Sequence, residues 1–113
     1  MSKRDPKIRL LHMRDYAQKA VFMVKGKSRN NFNKDEKLQL AVTRLVELIG
    51  EAASQVPTEF RRKYQEIPWK QIIGTRHRLI HGYDFVDYDI LWDTVNRNLP
   101  ELIDELNHIL EKD

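Results

Sequence analysis

The sequence predicts an all-α protein, a small antiparallel bundle of four to five helices around one core. Three observations predict it. Apolar residues recur at spacings of three and four through most of the chain, no strand-like alternation persists, and Pro, Gly and capping residues fall where helices should start and stop. The 113 residues suit a single domain, 1–113. With 41% hydrophobic and 33% charged residues, the chain has material for one core beneath a heavily solvated surface.

Asp5 and Pro6 form a cap followed by proline at the first helical position. Leu10, Met13, Ala17, Ala20, Val21 and Val24 continue the stripe, and Gly26 is a natural stop. The stretch GKSRNNFN, 26–33, is polar and reads as a loop. Asn33 is placed to cap a second helix, with Glu36 in the capping-box position. Leu38, Ala41, Val42, Leu45, Leu48, Ile49 and Ala52 form the cleanest stripe in the chain, which Pro57 ends. A short amphipathic turn or helix over 58–65 follows, ended by Pro68. The next helix runs from near Pro68 to near His81, with Gly82 just after it. The last begins around Asp87 and carries apolar residues from Ile90 to Leu110; Pro100 lies inside it and should kink or split it.

Several classes are disfavoured. The absence of cysteine removes disulfides and thiolate zinc sites and fits a reducing compartment, so a cytoplasmic location is expected. The opening MSKRDPKIRLLH has no uninterrupted apolar region of the kind a signal peptide needs. No apolar run approaches the roughly 20 residues of a membrane span, so no membrane partner is expected. The net charge of +3 permits nucleic-acid contact without requiring it. No Gly-rich phosphate loop or nucleophile elbow is present, and no compact acidic cluster accompanies the four histidines, so neither a metal nor a cofactor is expected. Asp87 reads as an N-cap and Asp89 as a charge favouring the helix dipole. Arg61, Arg62 and Lys63 read as a solvated helix face.

The chemistry concentrates in GTRHRLIHGY, 74–83. On a helix, Trp69, Ile72, Ile73, Arg76, Leu79 and Ile80 share one face, so Arg76 interrupts an apolar stripe. A guanidinium does not lose its proton, and burying one unpaired costs several kcal/mol, on the order of an ion's desolvation penalty. Arg76 therefore has a carboxylate partner, with Glu51 or Glu47 available, or reaches the bundle edge, or lines a pocket meant for an anion. On an ideal helix His81 is rotated roughly 140° from Arg76 and displaced about 7.5 Å along the axis. The two converge only if the helix ends at His81 or a second subunit contributes. A helix C-terminus favours the imidazolium form, and a histidine beside a permanent cation suits proton transfer. The competing structural reading makes Arg76 an ion-paired residue, His81 a cap, His77 and Arg78 solvated, Tyr83 a packing ring, and Trp69 and Trp92 core or interface anchors.

Arg76, four intervening residues, His81, one residue and Tyr83 resemble the R-x4-H-x-Y signature of HEPN-domain ribonucleases. The chain more closely resembles the HepT-like toxins of prokaryotic toxin–antitoxin pairs. AVTRLVELIGEAA (41–53), IPWKQIIGTRHRLIHGY (67–83) and VDYDILWDTVNRNLPELIDEL (86–106) look like that family's blocks in that family's order, and the remainder fits its opening helix. The resemblance implies an all-α HEPN-like bundle that forms a homodimer, with the motif helices of both subunits beside a shared cleft, and metal-independent cleavage of an RNA substrate. It implies that Arg76 neutralises the scissile phosphate, that His81 acts as general acid or base, and that Tyr83 is the regulatory site. A minimal nucleotidyltransferase antitoxin would silence the toxin by adding AMP to Tyr83. The family usually has Asn after the motif arginine; here His77 stands there in a supporting position.

The implied chemistry is self-consistent. RNA carries its own nucleophile, the 2′-hydroxyl. Cleavage then needs a base, an acid for the 5′-oxygen, and a cation for the charge gathering on phosphorus. Arginine supplies a two-pronged donor for phosphate oxygens that lysine does not reproduce. One histidine per subunit cannot be acid and base in a single turnover, whereas a two-fold dimer brings two. The alternative on the same fold is a non-catalytic helical dimer that binds a nucleotide or a partner.

Overall fold

The computed structural model describes residues 5–82 and 85–112. Four longer helices build the frame: α1 (Pro6–Val24), α3 (Glu36–Ser54), α5 (Trp69–Leu79) and α7 (Leu99–Lys112). Shorter helices join them: α2 (Arg29–Asn33), α4 (Thr58–Lys63) and α6 (Tyr88–Asp93). Helix α1 packs mainly on α3 and α7, and α5 packs on α3. One buried cluster runs through the bundle, with Leu10, Met13, Phe32, Val42, Leu106 and Ile109 each fully buried. The all-α architecture predicted from the periodicity is the one observed.

The caps explain most of the boundaries. Asp5 accepts a hydrogen bond from Lys7 N–H and Pro6 opens α1, as the sequence suggests. The second long helix is capped differently from expectation: Asp35, not Asn33, accepts from Leu38 N–H at 3.0 Å. Asn33 is instead the last residue of α2, in the stretch read as a loop. That stretch folds because Ser28 and Asn31 form a reciprocal capping box and Phe32 is driven into the core. There Phe32 meets the rings of Trp92 and Tyr88 at centroid distances of 5.2 and 5.8 Å. Gln39 then closes the end of α2 by donating to the carbonyls of Phe32 and Asn33. A polar reading of the segment missed it because one buried ring outweighs seven hydrophilic neighbours.

Two further departures concern the C-terminal half. Helix α5 ends at Leu79, not near His81, and Ile80 is already extended at φ −111° and ψ 119°. Ile80–His81 (β1) and Phe85–Val86 (β2) form a two-stranded antiparallel ribbon, pairing Ile80 with Val86 and His81 with Phe85. Periodicity does not reveal strands of two residues. Gly82, at φ +72°, supplies the left-handed conformation at the turn. Around Pro100 the last helix is divided, by a change of helix type just before the proline. The preceding residues, Thr94–Asn98, form a π turn in which Leu99 N–H reaches the carbonyl of Thr94, so α6 runs on into α7. The wider turn accommodates a residue that lacks an N–H and whose ring would otherwise meet the carbonyl of Asn96.

Asp87 joins these parts. Its N–H closes the ribbon on the Leu79 carbonyl at 2.7 Å, and its carboxylate accepts from Asp89 and Ile90 N–H to start α6. Asp87→Ala is expected to cost about 1 kcal/mol of stability, as lost N-caps do, measured by urea unfolding; an unchanged midpoint would count against the capping role.

Candidate active site

Helix α5 comes close to α3 because Gly50 has no side chain. A Cβ there would lie 3.1 Å from the backbone carbonyl of Ile72. Along this seam lies a shallow cavity of about 140 Å³, lined by Glu47, Gly50, Glu51, Ser54, Ile73 and Arg76 among others. Arg76 stands at its edge, its side chain 63% exposed, and its Nε donates to Glu47 Oε2 at 3.0 Å. Glu47 is the more enclosed partner at 16% exposure. Two of the open alternatives are thus realised together: Arg76 has a carboxylate partner and reaches the bundle edge. Glu51 instead reaches Arg44 at 3.7 Å. Because Glu47 engages Nε, the two terminal nitrogens of Arg76 make no hydrogen bond among the described residues. That fork is the part of a guanidinium that matches two phosphate oxygens.

His81 lies on β1, beyond the helix, so the ideal-helix rotation between it and Arg76 does not apply. Its Nε2 bonds to the carbonyl of Arg78 at 3.1 Å. A carbonyl can only accept, so this bond puts a proton on Nε2 and leaves Nδ1 as the basic nitrogen of the neutral ring. The exposed ring of Phe85 stands edge-on to the imidazole, with centroids 5.6 Å apart. The sequence reading did not single out Phe85; the turn signal His81-Gly82 was the available clue to a hairpin that brings it back. His77 is exposed and shares no hydrogen bond with Arg76 or His81 among the described residues. It is four residues from His81, but the end of α5 between them removes the helical pairing that spacing would give. Tyr83 lies outside the described residues.

Trp69 and Arg61, also singled out, have structural partners. Trp69 is buried and its indole N–H donates to the Tyr64 carbonyl at 3.0 Å. Arg61 is not simply solvated: it donates to the carbonyls of Val56 and Ser54, which lie just beyond and at the end of α3. Arg62 and Lys63 are exposed.

A second cavity, of about 190 Å³, lies between α3, α5 and the π turn with α7. Glu66, Glu101 and Glu105 line it, with Arg78 from α5. Burial, and then the charges of Glu101 and Glu66, hold the Glu105 carboxyl above its ordinary value of 4.5. The folded chain therefore binds this proton more tightly than the unfolded chain, and stability is lost as pH rises from that ordinary value through the raised one. Glu105→Gln is expected to raise Tm at pH 7 by no more than about 3 °C. The gap should close at pH 4, where glutamate and glutamine are both neutral. A gap that stays constant from pH 4 to pH 7 would remove the electrostatic explanation.

The profile of the family described as "Ribonuclease HepT-like" matches residues 13–109. The chain belongs to the HepT-like ribonuclease family. It is 41% identical over 108 residues to a candidate RNase, TTE0752, of Caldanaerobacter subterraneus subsp. tengcongensis, covering 96% of each chain. It is 36% identical over 106 residues to a candidate RNase, MJ1380, of Methanocaldococcus jannaschii, covering 94% of this chain and 97% of that one. Over a shorter stretch of 68 residues it is 46% identical to a candidate ribonuclease HepT of Thermococcus cleftensis, covering 60% of this chain and 62% of that one. No solved structure gives a significant match. Among the described residues no helix is long and apolar enough to cross a membrane.

Proposed function

We propose that this chain is the toxin of a toxin–antitoxin pair and a metal-independent endoribonuclease. In this reading Arg76 holds the scissile phosphate and His81 moves a proton. The observation that carries it is the state of Arg76: exposed, with Nε engaged by Glu47 and both terminal nitrogens without a hydrogen bond among the described residues. The 2′-oxygen of the RNA attacks phosphorus as its proton passes to a base, and the 5′-oxygen leaves as it takes a proton from an acid. The products are a 2′,3′-cyclic phosphate and a 5′-hydroxyl end. In the neutral ring Nδ1 of His81 is the group that accepts, and His81 of a second copy supplies the acid. His77 supports the phosphate. The exposed Phe85 beside His81 suits coverage by a second copy of the chain.

The test is cleavage of total RNA by the purified chain in excess EDTA. Wild type should cut and the double variant Arg76→Ala/His81→Ala should not; equal rates would dismiss the enzyme and favour a binding module. Light scattering at micromolar concentration tests the dimer, and a strict monomer would remove the composite site.

Regulation follows from charge. AMP on Tyr83 would bring a phosphodiester and a purine to the segment next to His81, where a substrate phosphate must come. Co-expression with a minimal nucleotidyltransferase should add adenylate-sized mass to the wild-type chain and none to Tyr83→Phe. Additions that persist in Tyr83→Phe would place the modification elsewhere.

A further inference from the structure

We propose that the cavity between α3, α5 and the π turn is a binding site for an organic cation: an amine or guanidinium head on a short apolar stem. The site is separate from the Arg76 seam, and the proposal does not rest on the nuclease reading.

Size and lining come first. The cavity's volume of about 190 Å³ exceeds the roughly 150 Å³ known to hold a benzene-sized guest. Val46, Ile49, Ile72 and Leu102 give it an apolar floor. Charge comes second. Glu66, Glu101 and Glu105 face one guanidinium, that of Arg78, so the wall carries three negative charges against one positive. None of the three glutamates has an ion-pair partner among the described residues. Arg78 does not neutralise them, because its guanidinium is turned to the Gln71 carbonyl and the Thr75 hydroxyl. Anions, RNA included, are repelled by such a wall. A metal ion is not the fitting occupant either: among the described residues no group of three acidic or histidine side chains is gathered closely enough to hold one. Carboxylates set apart around an apolar floor suit several N–H donors on one spread cation.

The third observation is a hydroxyl. Thr94 lines the cavity, is 8% exposed, and makes no side-chain hydrogen bond among the described residues. The buried threonines Thr43 and Thr75 each donate to the carbonyl four residues back, at 2.7 Å. Thr94 opens the π turn and does not. The Thr94 hydroxyl is not among the sealed, unpartnered side-chain atoms of the described residues, so it keeps contact with solvent and offers a free hydrogen-bonding group to a bound molecule. Burial and then the charges of Glu101 and Glu66 already penalise the ionised Glu105, and a cation in the cavity would offset that penalty.

The chemistry has two sources, a free amine or a basic side chain of another protein. Titration of the whole chain by NMR and thermal shift, with n-butylammonium and putrescine against n-butyrate at matched ionic strength, tests the site. The amines should give saturable amide shifts at Gln71, Thr75, Thr94 and Asn98 with a Kd on the order of 1–10 mM or tighter. Butyrate should give none. Glu101→Gln/Glu105→Gln should weaken amine binding at least about tenfold. Thr94→Val, nearly isosteric, should weaken it about fivefold. Equal response to butyrate, no saturation, or binding undiminished in the glutamine variant overturns the site. Binding that needs the glutamates but ignores Thr94→Val marks attraction to surface charge and overturns it as well. A neutral peptide holding one arginine, compared with free putrescine, identifies the source by which binds more tightly.

Discussion

Arg76→Ala is expected to slow RNA cleavage by about 10²–10³, the usual cost of losing one preorganised donor at a developing charge. The fold should survive, because Arg76 is 63% exposed and its pair with Glu47 lies at the bundle edge; with Glu47 only 16% exposed, the loss should exceed the roughly 0–1 kcal/mol of a fully exposed pair but stay well short of unfolding the chain. Arg76→Lys should recover little of the rate. Lysine keeps the charge but brings a single ammonium, which cannot bond Glu47 through one nitrogen while offering two others in a plane. Glu47→Gln keeps the acceptor oxygen and should therefore lose less than Glu47→Ala, which leaves the guanidinium unbraced. Cleavage rates measured with melting curves for the same proteins decide the matter. Full activity in Arg76→Ala would remove Arg76 from the chemistry.

His81→Ala should lower the rate by about 10²–10⁴, the range of general acid–base assistance. It should also leave the core intact, since the imidazole is exposed and bonds one local carbonyl. The informative control is His81→Asn. An asparagine amide can donate to the Arg78 carbonyl but cannot take a proton near neutral pH, so it should hold the ribbon and stay inactive. Mixing wild type with excess inactive Arg76→Ala/His81→Ala probes the dimer: activity per wild-type chain should fall as mixed dimers form, because each site needs His81 of both chains. Unchanged activity per wild-type chain, with mixed dimers verified by mass, would confine the chemistry to a single chain.

The long helices were legible in the sequence because each carries many apolar positions at helical spacing and a cap or proline at its boundary. Asp5, Pro6 and Asp87 act in the structure as their residue types suggest. What escaped depends on few residues. Phe32 makes a helix of a polar stretch through burial that no local pattern announces. The β ribbon rests on two paired residues per strand, below what alternation can reveal. At Pro100 an interruption was legible, but its form, a π turn just before the proline, was not. Around Arg76 the residue types offered Glu47 or Glu51 as a partner beside an edge or an anion pocket; the choice needed the packing of α5 on α3, which Gly50 sets. The convergence of three glutamates was invisible because Glu66 is far in sequence from Glu101 and Glu105.

The double duty of Asp87 has a kinetic consequence. One residue latches the ribbon that carries His81 and also nucleates α6, and Asp89 in the first turn of α6 is tethered to Arg29 on α2 at 2.8 Å. Fraying of that latch would loosen the imidazole and the first turn of α6 in one event. Amide protons of β1 and of early α6 should then exchange with solvent on a common time course, faster than those of α3, and Asp87→Ala should accelerate both sets together.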